Sequence, residues 1–214
     1  YDTPIADRSA PVLSENTALF QLSGGTTGLS KLIPRTHADY LYSVRASADI
    51  CEVSGETVNL VVLPAAHNFT MSSPGILGSL YRGATLVFAH DPSPQTSFEL
   101  IKTHGVTQVS LVPPLVQSWL TLATRRPLEL PSLKVIQVGG AKLAPSVAER
   151  IGPVLGATLQ QVAGMAEGLV NYTRLDDDPA TTCTTQGRPI SSDDELLIVD
   201  TQGVEVEAGL AGEL

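Results

Sequence analysis

The chain has 214 residues, of which 43% are hydrophobic and 16% are charged, and it contains 18 glycines and 15 prolines. This composition is that of a folded globular protein and excludes a disordered polar chain, a collagen and a small disulfide scaffold. The formal net charge is −9, and residues 175–214 carry all of it. Neither part of the chain is basic, so we expect no nucleic-acid partner.

Hydropathy and cysteine usage indicate the cellular compartment of the protein. The longest apolar stretches fall far short of the ~20 residues that a membrane-spanning helix needs, and the first residues lack the basic-then-apolar pattern of a signal peptide. Cys51 and Cys183 lie far apart, without a CxxC motif. Free thiols of this kind are typical of a reducing compartment, so we expect a cytoplasmic protein without a membrane partner.

Hydrophobic periodicity predicts strands that alternate with helices through most of the chain. In chain order, the pattern predicts a strand at Thr17–Leu22, a helix at Thr36–Ile50, a strand at Val58–Leu63, a helix at Ser72–Tyr81, a strand at Ala84–Ala89, a helix at Pro94–His104, a strand at Val106–Leu111, a helix at Leu115–Thr124, a strand at Leu133–Val138, a helix at Pro145–Leu155 and a strand at Thr158–Val162. This order predicts an α/β fold with a mostly parallel sheet flanked by helices.

The pattern changes after about residue 170. Short strands are predicted at Asn171–Leu175, Glu195–Asp200 and Val204–Glu207, and a turn at residues 200–203 joins the last two as a hairpin. We therefore divide the chain into a βα core at residues 1–175 and the start of a smaller, truncated β-rich subdomain at residues 176–214. The acidic side chains of the second part are expected to form a solvated edge, with a partner-binding patch as the alternative.

The strongest chemical signal is the segment Ser23–Lys31 (SGGTTGLSK), which directly follows a predicted strand. Its glycines allow a sharp turn that directs several backbone N–H groups inward, and its hydroxyls and lysine add donors, as the phosphates of a nucleotide require. The segment matches neither the Walker pattern nor GxGxxG. The candidate phosphate-binding residues are Ser23, Gly24, Gly25, Thr26, Thr27, Gly28 and Lys31. The alternative is a flexible linker.

Together with the following residues 34–37 (PRTH), this loop resembles the phosphate-binding signature of the adenylate-forming enzymes. That superfamily includes acyl-CoA synthetases, luciferases and the adenylation domains of nonribosomal peptide synthetases. Further stretches resemble its other motifs, in the same order: Leu63–Asn68, Val138–Leu143, Gln160–Glu167 and Gln186–Pro189. Residues 164–177 and 66–75 are similar to the aryl-acid branch, the 2,3-dihydroxybenzoate- or salicylate-AMP ligases.

The resemblance implies that ATP and Mg²⁺ are the cofactors. Thr26, Thr27 and Lys31 would hold the β- and γ-phosphates, and Glu167 would ligate Mg²⁺, a hard ion that takes carboxylate oxygen. The rest of the nucleotide site would consist of the other residues of the Ser23–Lys31 loop together with residues of two later segments: Gly139, Gly140, Ala141, Val162, Gly164, Met165 and Ala166. As alternatives, Glu167 could be an exposed glutamate at a helix start, and the glycine pair a tight turn.

For the acid, the resemblance places Asn68 and Ser73 at the ring hydroxyls. The expected pocket wall consists of Gly139, Val162, Val170 and Asn171, with Gln137 nearby. The catalytic candidates are Lys31, which would bind the phosphates, and His67, which would face the substrate carboxylate. The alternative for His67 is a structural role. The resemblance also implies that the salicylate enzymes tend to have Cys at the position of Ser73 and a larger Leu at that of Val162. Since a second ring hydroxyl needs space and a polar partner, Ser73 with Val162 favours 2,3-dihydroxybenzoate over salicylate.

The function implied is activation of an aryl carboxylic acid to aryl-AMP with release of pyrophosphate. The aryl group would then pass to the phosphopantetheine thiol of an aryl carrier protein in siderophore biosynthesis. The alternatives are an acyl-CoA ligase of another branch and a non-catalytic nucleotide-binding fragment. The family's ribose-binding Asp and its mobile domain with a catalytic lysine are expected beyond Leu214, so we expect this chain alone to be an inactive fragment.

Overall fold

The computed structural model describes residues 13–23 and 30–214. Within these residues the elements are, in chain order, β1 (Thr17–Leu22), β2 (Leu32–Thr36), α1 (His37–Ile50), β3 (Val58–Val61), α2 (Asn68–Ser72), α3 (Gly75–Arg82), β4 (Thr85–Phe88), α4 (Pro94–His104), β5 (Gln108–Leu111), α5 (Pro113–Arg125), β6 (Val135–Val138), α6 (Pro145–Ala148), α7 (Ile151–Leu155), β7 (Thr158–Gly164), β8 (Val170–Tyr172), α8 (Pro179–Thr184) and β9 (Arg188–Pro189).

Seven of these strands form one sheet in the order β4-β3-β5-β6-β7-β8-β9. The strands from β4 to β7 are parallel, and β8 and β9 are added antiparallel. Helices connect the parallel strands, so the predicted α/β fold with a mostly parallel sheet is confirmed. β1 and β2 form a separate antiparallel pair on either side of the candidate phosphate loop.

The main hydrophobic core lies between the central strands and the helices that cover them. Every residue of β5 is buried, as expected for a parallel strand covered on both faces. Trp119 on α5 is fully buried, and its ring meets the edge of Phe98 on α4 at 4.9 Å between centroids. In the part of the chain that the structure describes, no helix has the length and apolarity needed to cross a bilayer.

Two of the predicted helices have the expected ends because capping residues fix them. Thr36 accepts a hydrogen bond from the N–H of Asp39 at 3.2 Å and so begins α1. Ser93 accepts from Thr96 N–H at 3.3 Å, and Pro94 occupies the first turn of α4. Both predictions, Thr36–Ile50 and Pro94–His104, are confirmed.

The single helix predicted at Ser72–Tyr81 is wrong, because α2 ends at Ser72 and α3 begins at Gly75. Pro74 lacks an N–H group and cannot continue the first helix. Gly75 has φ of +51°, and a Cβ at this position would overlap the Thr70 carbonyl. The break places Ser73 at the C-terminal end of α2, whereas Asn68 is its first residue.

The helix predicted at Pro145–Leu155 is likewise divided into α6 and α7. Pro153 has no N–H to donate to the carbonyl four residues earlier, and its ring would clash with that turn. The chain therefore makes a short turn at Glu149 and Arg150 before α7 begins.

The C-terminal region differs from its prediction in several details. β9 extends the main sheet past residue 175, and α8 was not predicted. The turn at residues 200–203 is present, but the strands predicted on either side are reduced to isolated bridges of Val199 with Glu205 and Glu213. Leu196 and Leu197 are 45% and 53% exposed, so little packing holds this segment in a ladder. The division of the chain at residue 175 remains a prediction.

A buried row of amides links the central strands behind the sheet edge. The Ser110 hydroxyl donates to Gln137 Oε1 at 2.9 Å, and Gln137 Nε2 donates to Gln160 Oε1 at 3.0 Å and to Cys51 Sγ at 3.1 Å. Gln160 Nε2 donates in turn to the Thr173 carbonyl at 3.0 Å. Because every amide group in this row is paired, the row fixes β5, β6 and β7 against one another.

We expect Gly187→Ala to destabilise the protein far more than Gly203→Ala. Both glycines have a positive φ, +81° and +78°. A Cβ at Gly187 would overlap the Tyr172 backbone, whereas Gly203 has no neighbour within 4 Å of that position. Backbone strain alone should cost about 1 kcal/mol at Gly203, and strain with overlap more than about 3 kcal/mol at Gly187. Urea denaturation measures the free energy of unfolding of both variants. Equal losses in the two variants would contradict the close contact between Gly187 and the Tyr172 backbone.

We expect the two thiols to differ in reactivity. Cys51 is buried, and burial raises the pKa of its thiol well above the usual range. Burial also raises the pKa of Cys183, but this side chain is only partly buried. Labelling with an aromatic disulfide at pH 8 should modify Cys183 in the native protein and reach Cys51 only in urea. The control is the Cys183→Ser variant, in which Cys51 is the remaining thiol. Rapid labelling of this variant in its native state would contradict the burial of Cys51.

Candidate active site

The candidate site lies where the carboxyl ends of the parallel strands meet the hairpin β1–β2. Parallel strands open their carboxyl ends on the same edge, which is where ligands bind in open α/β sheets. A cavity of about 980 Å³ occupies this position. Its lining residues are Phe20, Gln21, Leu22, Ser23, Lys31, Ala66, His67, Asn68, Phe69, Ser73, Gly140, Val162, Gly164, Met165, Ala166 and Glu167.

The ends of the candidate phosphate loop are fixed at this cavity. The N–H of Ser23 donates to the Lys31 carbonyl at 2.9 Å, and the N–H of Lys31 donates to Ser23 Oγ at 2.9 Å. Both residues line the cavity. The remaining predicted phosphate ligands, Gly24, Gly25, Thr26, Thr27 and Gly28, lie outside the described residues.

The predicted acid-binding residues come from both ends of the short helix α2. Asn68 is its first residue, and Ser73 follows its last turn. Val162 on β7 also lines the cavity and is buried, like Ser73. The structure therefore brings Asn68, Ser73 and Val162 to one cavity, as expected, and adds the ring of Phe69 beside them.

His67 has a structural contact. Its Nδ1 accepts a hydrogen bond from the N–H of Phe69 at 3.3 Å and so caps α2. A neutral imidazole that accepts at Nδ1 carries its proton on Nε2. Because the ring also lines the cavity, Nε2–H can face a ligand while Nδ1 holds the helix. The two interpretations of His67 are compatible.

The glycine pair at the end of β6 has two different surroundings. A Cβ on Gly139 would lie 3.0 Å from Phe69 Cζ and 3.0 Å from the Val162 carbonyl oxygen, so the Phe69 ring packs directly on this glycine. Gly140 has φ of +80° and lines the cavity. Gly139 and Ala141 are not among the lining residues, and their contact with adenine remains a prediction.

Three predicted pocket residues lie behind the cavity surface. Gln137 is fully buried, and both its amide groups are used in the row described above. Val170 is buried in an apolar cluster with Phe69 and Val162. Asn171 lies on β8, and its buried Oδ1 has no partner among the residues described here. Direct contact of these residues with a ligand remains a prediction.

Glu167 lies in a turn between two antiparallel strands, so the alternative of a helix-start glutamate is wrong. The turn is closed by hydrogen bonds from Met165 N–H to the Leu169 carbonyl at 3.0 Å and from Gly168 N–H to the Met165 carbonyl at 3.3 Å. The exposed carboxylate lines the cavity. No group of three or more His, Cys, Asp or Glu that could hold a metal occurs in residues 13–23 and 30–214. A single carboxylate suits Mg²⁺, which keeps several waters and binds phosphate oxygens.

Arg35 on β2 belongs to the site's framework, although its motif alone assigned it no role. Its guanidinium is 2% exposed and donates to both carboxylate oxygens of Asp39 and to Ser43 Oγ at 3.1 Å. It also donates to the Ala166 carbonyl at 3.2 Å. Arg35 therefore connects the strand after the phosphate loop to the turn that carries Glu167.

The chain is similar in sequence to two curated AMP ligases. The chain is 56% identical over 197 residues to the vibriobactin-specific 2,3-dihydroxybenzoate-AMP ligase of Vibrio cholerae, covering 92% of this chain and 36% of the relative. It is 49% identical over 211 residues to the salicyl-AMP ligase / salicyl-S-ArCP synthetase of Mycobacterium tuberculosis, covering 99% of this chain and 36% of the relative. The chain thus spans just over a third of the length of these curated relatives.

The fold is shared as well. The apo structure of MbtA from Mycobacterium smegmatis superposes with a TM-score of 0.86 at 51% identity, over 92% of this chain and 36% of that one. The family model described as AMP-binding enzyme matches residues 3–214, nearly the whole chain. The chain therefore belongs to the AMP-binding enzyme family.

Proposed function

We propose that this chain forms the phosphate, acid and adenine sites of a ligase that activates an aryl carboxylic acid with ATP. The ligase forms aryl-AMP and releases pyrophosphate, and it prefers 2,3-dihydroxybenzoate to salicylate. The observation that carries the proposal is the meeting of Lys31, Glu167 and the Asn68–Ser73 pocket at one cavity. The names of the similar ligases from Vibrio cholerae and Mycobacterium tuberculosis support the substrate class.

The proposed reaction brings two anions, the carboxylate and ATP, into contact. Attack of a carboxylate on the α-phosphate builds charge on the phosphoryl oxygens and on the leaving pyrophosphate, and fixed donors must offset this charge. Lys31 and the N–H groups of the loop from Ser23 supply donors on the phosphate side. Arg35 does not contact the phosphates in this proposal, and acts by holding the Glu167 turn against β2.

Glu167 would hold Mg²⁺ together with phosphate oxygens. When bound, the ion would neutralise developing negative charge on the phosphates. This chain's contribution is one exposed carboxylate, placed at the cavity by the turn between β7 and β8. The Arg35 contact to Ala166 keeps that turn at a fixed distance from β2.

The acid end of the cavity fits an uncharged ring that bears hydroxyls. Phe69 and Val162 supply apolar walls, and Asn68 and Ser73 supply polar groups. Neither Asn68 nor Ser73 can pair with an ammonium as a carboxylate does, which argues against an amino-acid substrate. His67 Nε2–H would donate to the substrate carboxylate and orient it for attack.

The later steps follow from the chemistry of the product. An acyl-adenylate is a mixed anhydride that a thiol can attack, with AMP as the leaving group. We propose the phosphopantetheine thiol of an aryl carrier protein as the acceptor, in siderophore biosynthesis. The cytoplasmic location expected from the cysteines belongs to the same proposal.

The test is ATP–pyrophosphate exchange with a panel of acids. The protein to use is the product of the longest open reading frame that contains this sequence. We expect exchange with 2,3-dihydroxybenzoate and, more weakly, with salicylate. Exchange only with amino acids or long-chain fatty acids would overturn the proposal and support another branch of the family.

Ser73→Cys combined with Val162→Leu should shift preference from 2,3-dihydroxybenzoate towards salicylate. The double change removes a hydroxyl partner and fills the space of the 3-hydroxyl, since both side chains line the same cavity. A lost hydrogen bond with added volume should change discrimination by roughly 1–3 kcal/mol. The readout is the ratio of kcat/KM for the two acids.

The single variant Ser73→Ala serves as the control, because it removes the hydroxyl without filling space. It should weaken 2,3-dihydroxybenzoate without improving salicylate. A ratio that stays unchanged in the double variant would show that these residues do not line the ring.

A further inference from the structure

The buried guanidinium of Arg35 is anchored on a single helix. It donates from Nε and Nη2 to the two carboxylate oxygens of Asp39, and from Nη2 to Ser43 Oγ at 3.1 Å. It also lies over the ring of Tyr40, 5.3 Å from the ring centre. Asp39, Tyr40 and Ser43 all belong to α1. Because the N–H groups of a guanidinium point in fixed directions, these contacts define both its place and its orientation.

From this position Arg35 contacts both neighbours of Glu167. Its Nη1 donates to the Ala166 carbonyl at 3.2 Å. On the other side of Glu167, a Cβ on Gly168 would lie 3.9 Å from Cζ and from Nη2 of Arg35. Within residues 13–23 and 30–214, no other side chain forms a hydrogen bond with the turn at residues 165–169.

The turn does not fix its own position in the site. Its two backbone hydrogen bonds join Met165 to Leu169 and Gly168 to Met165, so both are internal to the turn. They set its shape but do not connect it to the hairpin that carries the proposed phosphate loop. The exposed Glu167 carboxylate lines the cavity, and Arg35 supplies the connection of its turn to β2 and α1.

We propose that Arg35 is a positioning residue that fixes the Glu167 carboxylate for the Mg²⁺ bound with ATP, and that it acts through the geometry of its guanidinium rather than through its charge. The inference rests on the proposed function, in which Glu167 holds the ion. It assigns to a buried residue, which contacts neither nucleotide nor ion, the part of the nucleotide affinity that depends on Mg²⁺.

Geometry rather than charge follows from the partners of Arg35. The Asp39 carboxylate already offsets the positive charge, so the pair adds little net field at the turn. A lysine would keep the charge, but its three N–H groups radiate from one nitrogen and cannot reach Asp39 and the Ala166 carbonyl as a guanidinium does. Mg²⁺ demands near-ideal octahedral geometry, so a displaced carboxylate ligand holds it less well.

The experiment measures the dissociation constant of α,β-methylene-ATP by calorimetry, once in EDTA and once in excess Mg²⁺, with the product of the longest open reading frame. The ratio of the two constants isolates the contribution of the ion, because general damage to folding or to the phosphate loop weakens binding in both solutions. The variants are Arg35→Met and Arg35→Lys, with Glu167→Gln to set the size of the whole effect.

Two further variants serve as controls. Arg45→Met is the matched control, since Arg45 also lies on α1 and packs over the Tyr81 ring, at 5.4 Å from its centre. The double variant Arg35→Met with Asp39→Asn removes the carboxylate that the single change leaves unpaired.

We expect Arg35→Met, Arg35→Lys and the double variant each to lower the ratio about threefold to tenfold, and Arg45→Met to leave it unchanged. The dissociation constant in EDTA should stay near that of the unmodified protein. Amide hydrogen exchange of residues 163–170 should become faster in the three variants that lack Arg35, because their turn opens more easily.

An unchanged ratio in Arg35→Met, beside a reduced ratio in Glu167→Gln, would overturn the inference alone. A normal ratio in Arg35→Lys would overturn it too, because charge would then suffice, as would a ratio restored in the double variant, because the loss would then belong to the unpaired Asp39. An unchanged ratio in Glu167→Gln would instead overturn the metal-binding role in the proposed function. If Arg35→Met fails to fold, Arg35→Lys and the double variant decide the outcome.

Discussion

The shared direction of the parallel strands is the constraint on which the rest of this structure depends. Because β3, β6 and β7 run the same way, the segments that follow them, with Asn68, Gly140 and Glu167, all open on one edge of the sheet. The amide row through Ser110, Gln137 and Gln160 prevents β5, β6 and β7 from slipping relative to one another. The segments that follow β6 and β7 are thus held in place by buried polar groups behind the cavity surface.

The hairpin β1–β2 forms the other side of the candidate site. Hydrogen bonds connect it at two points to the segments that follow the parallel strands. Arg35 reaches from β2 to the Ala166 carbonyl beside the metal-binding candidate, and Gln21 reaches from β1 to the Asn68 amide. The residues on either side of the proposed phosphate loop therefore also hold residues of the proposed acid pocket. In the proposed reaction, this connection would hold the carboxylate and the α-phosphate in a fixed relative position, and such positioning lowers the barrier of a two-substrate step.

The local sequence was sufficient to predict the parallel strands and the motifs. Hydrophobic periodicity, helix caps and glycine-rich turns are each encoded in neighbouring residues. It was insufficient where distant residues meet. The proline breaks at Pro74 and Pro153 were readable in principle, but their effect on the predicted helices was missed. The partners of Gln137, Arg35 and the Asn68 amide lie on other elements, and only the folded chain brings them together.

The most direct test of the account is a crystal structure of the longest reading-frame product bound to a hydrolysis-resistant acylsulfamate mimic of 2,3-dihydroxybenzoyl-AMP. We expect the ring to lie against Phe69 and Val162, with its 2-hydroxyl within hydrogen-bond distance of the Asn68 amide and its 3-hydroxyl near Ser73. A ring bound away from Phe69 and Val162, or ring hydroxyls out of hydrogen-bond reach of Asn68 and Ser73, would contradict this expectation.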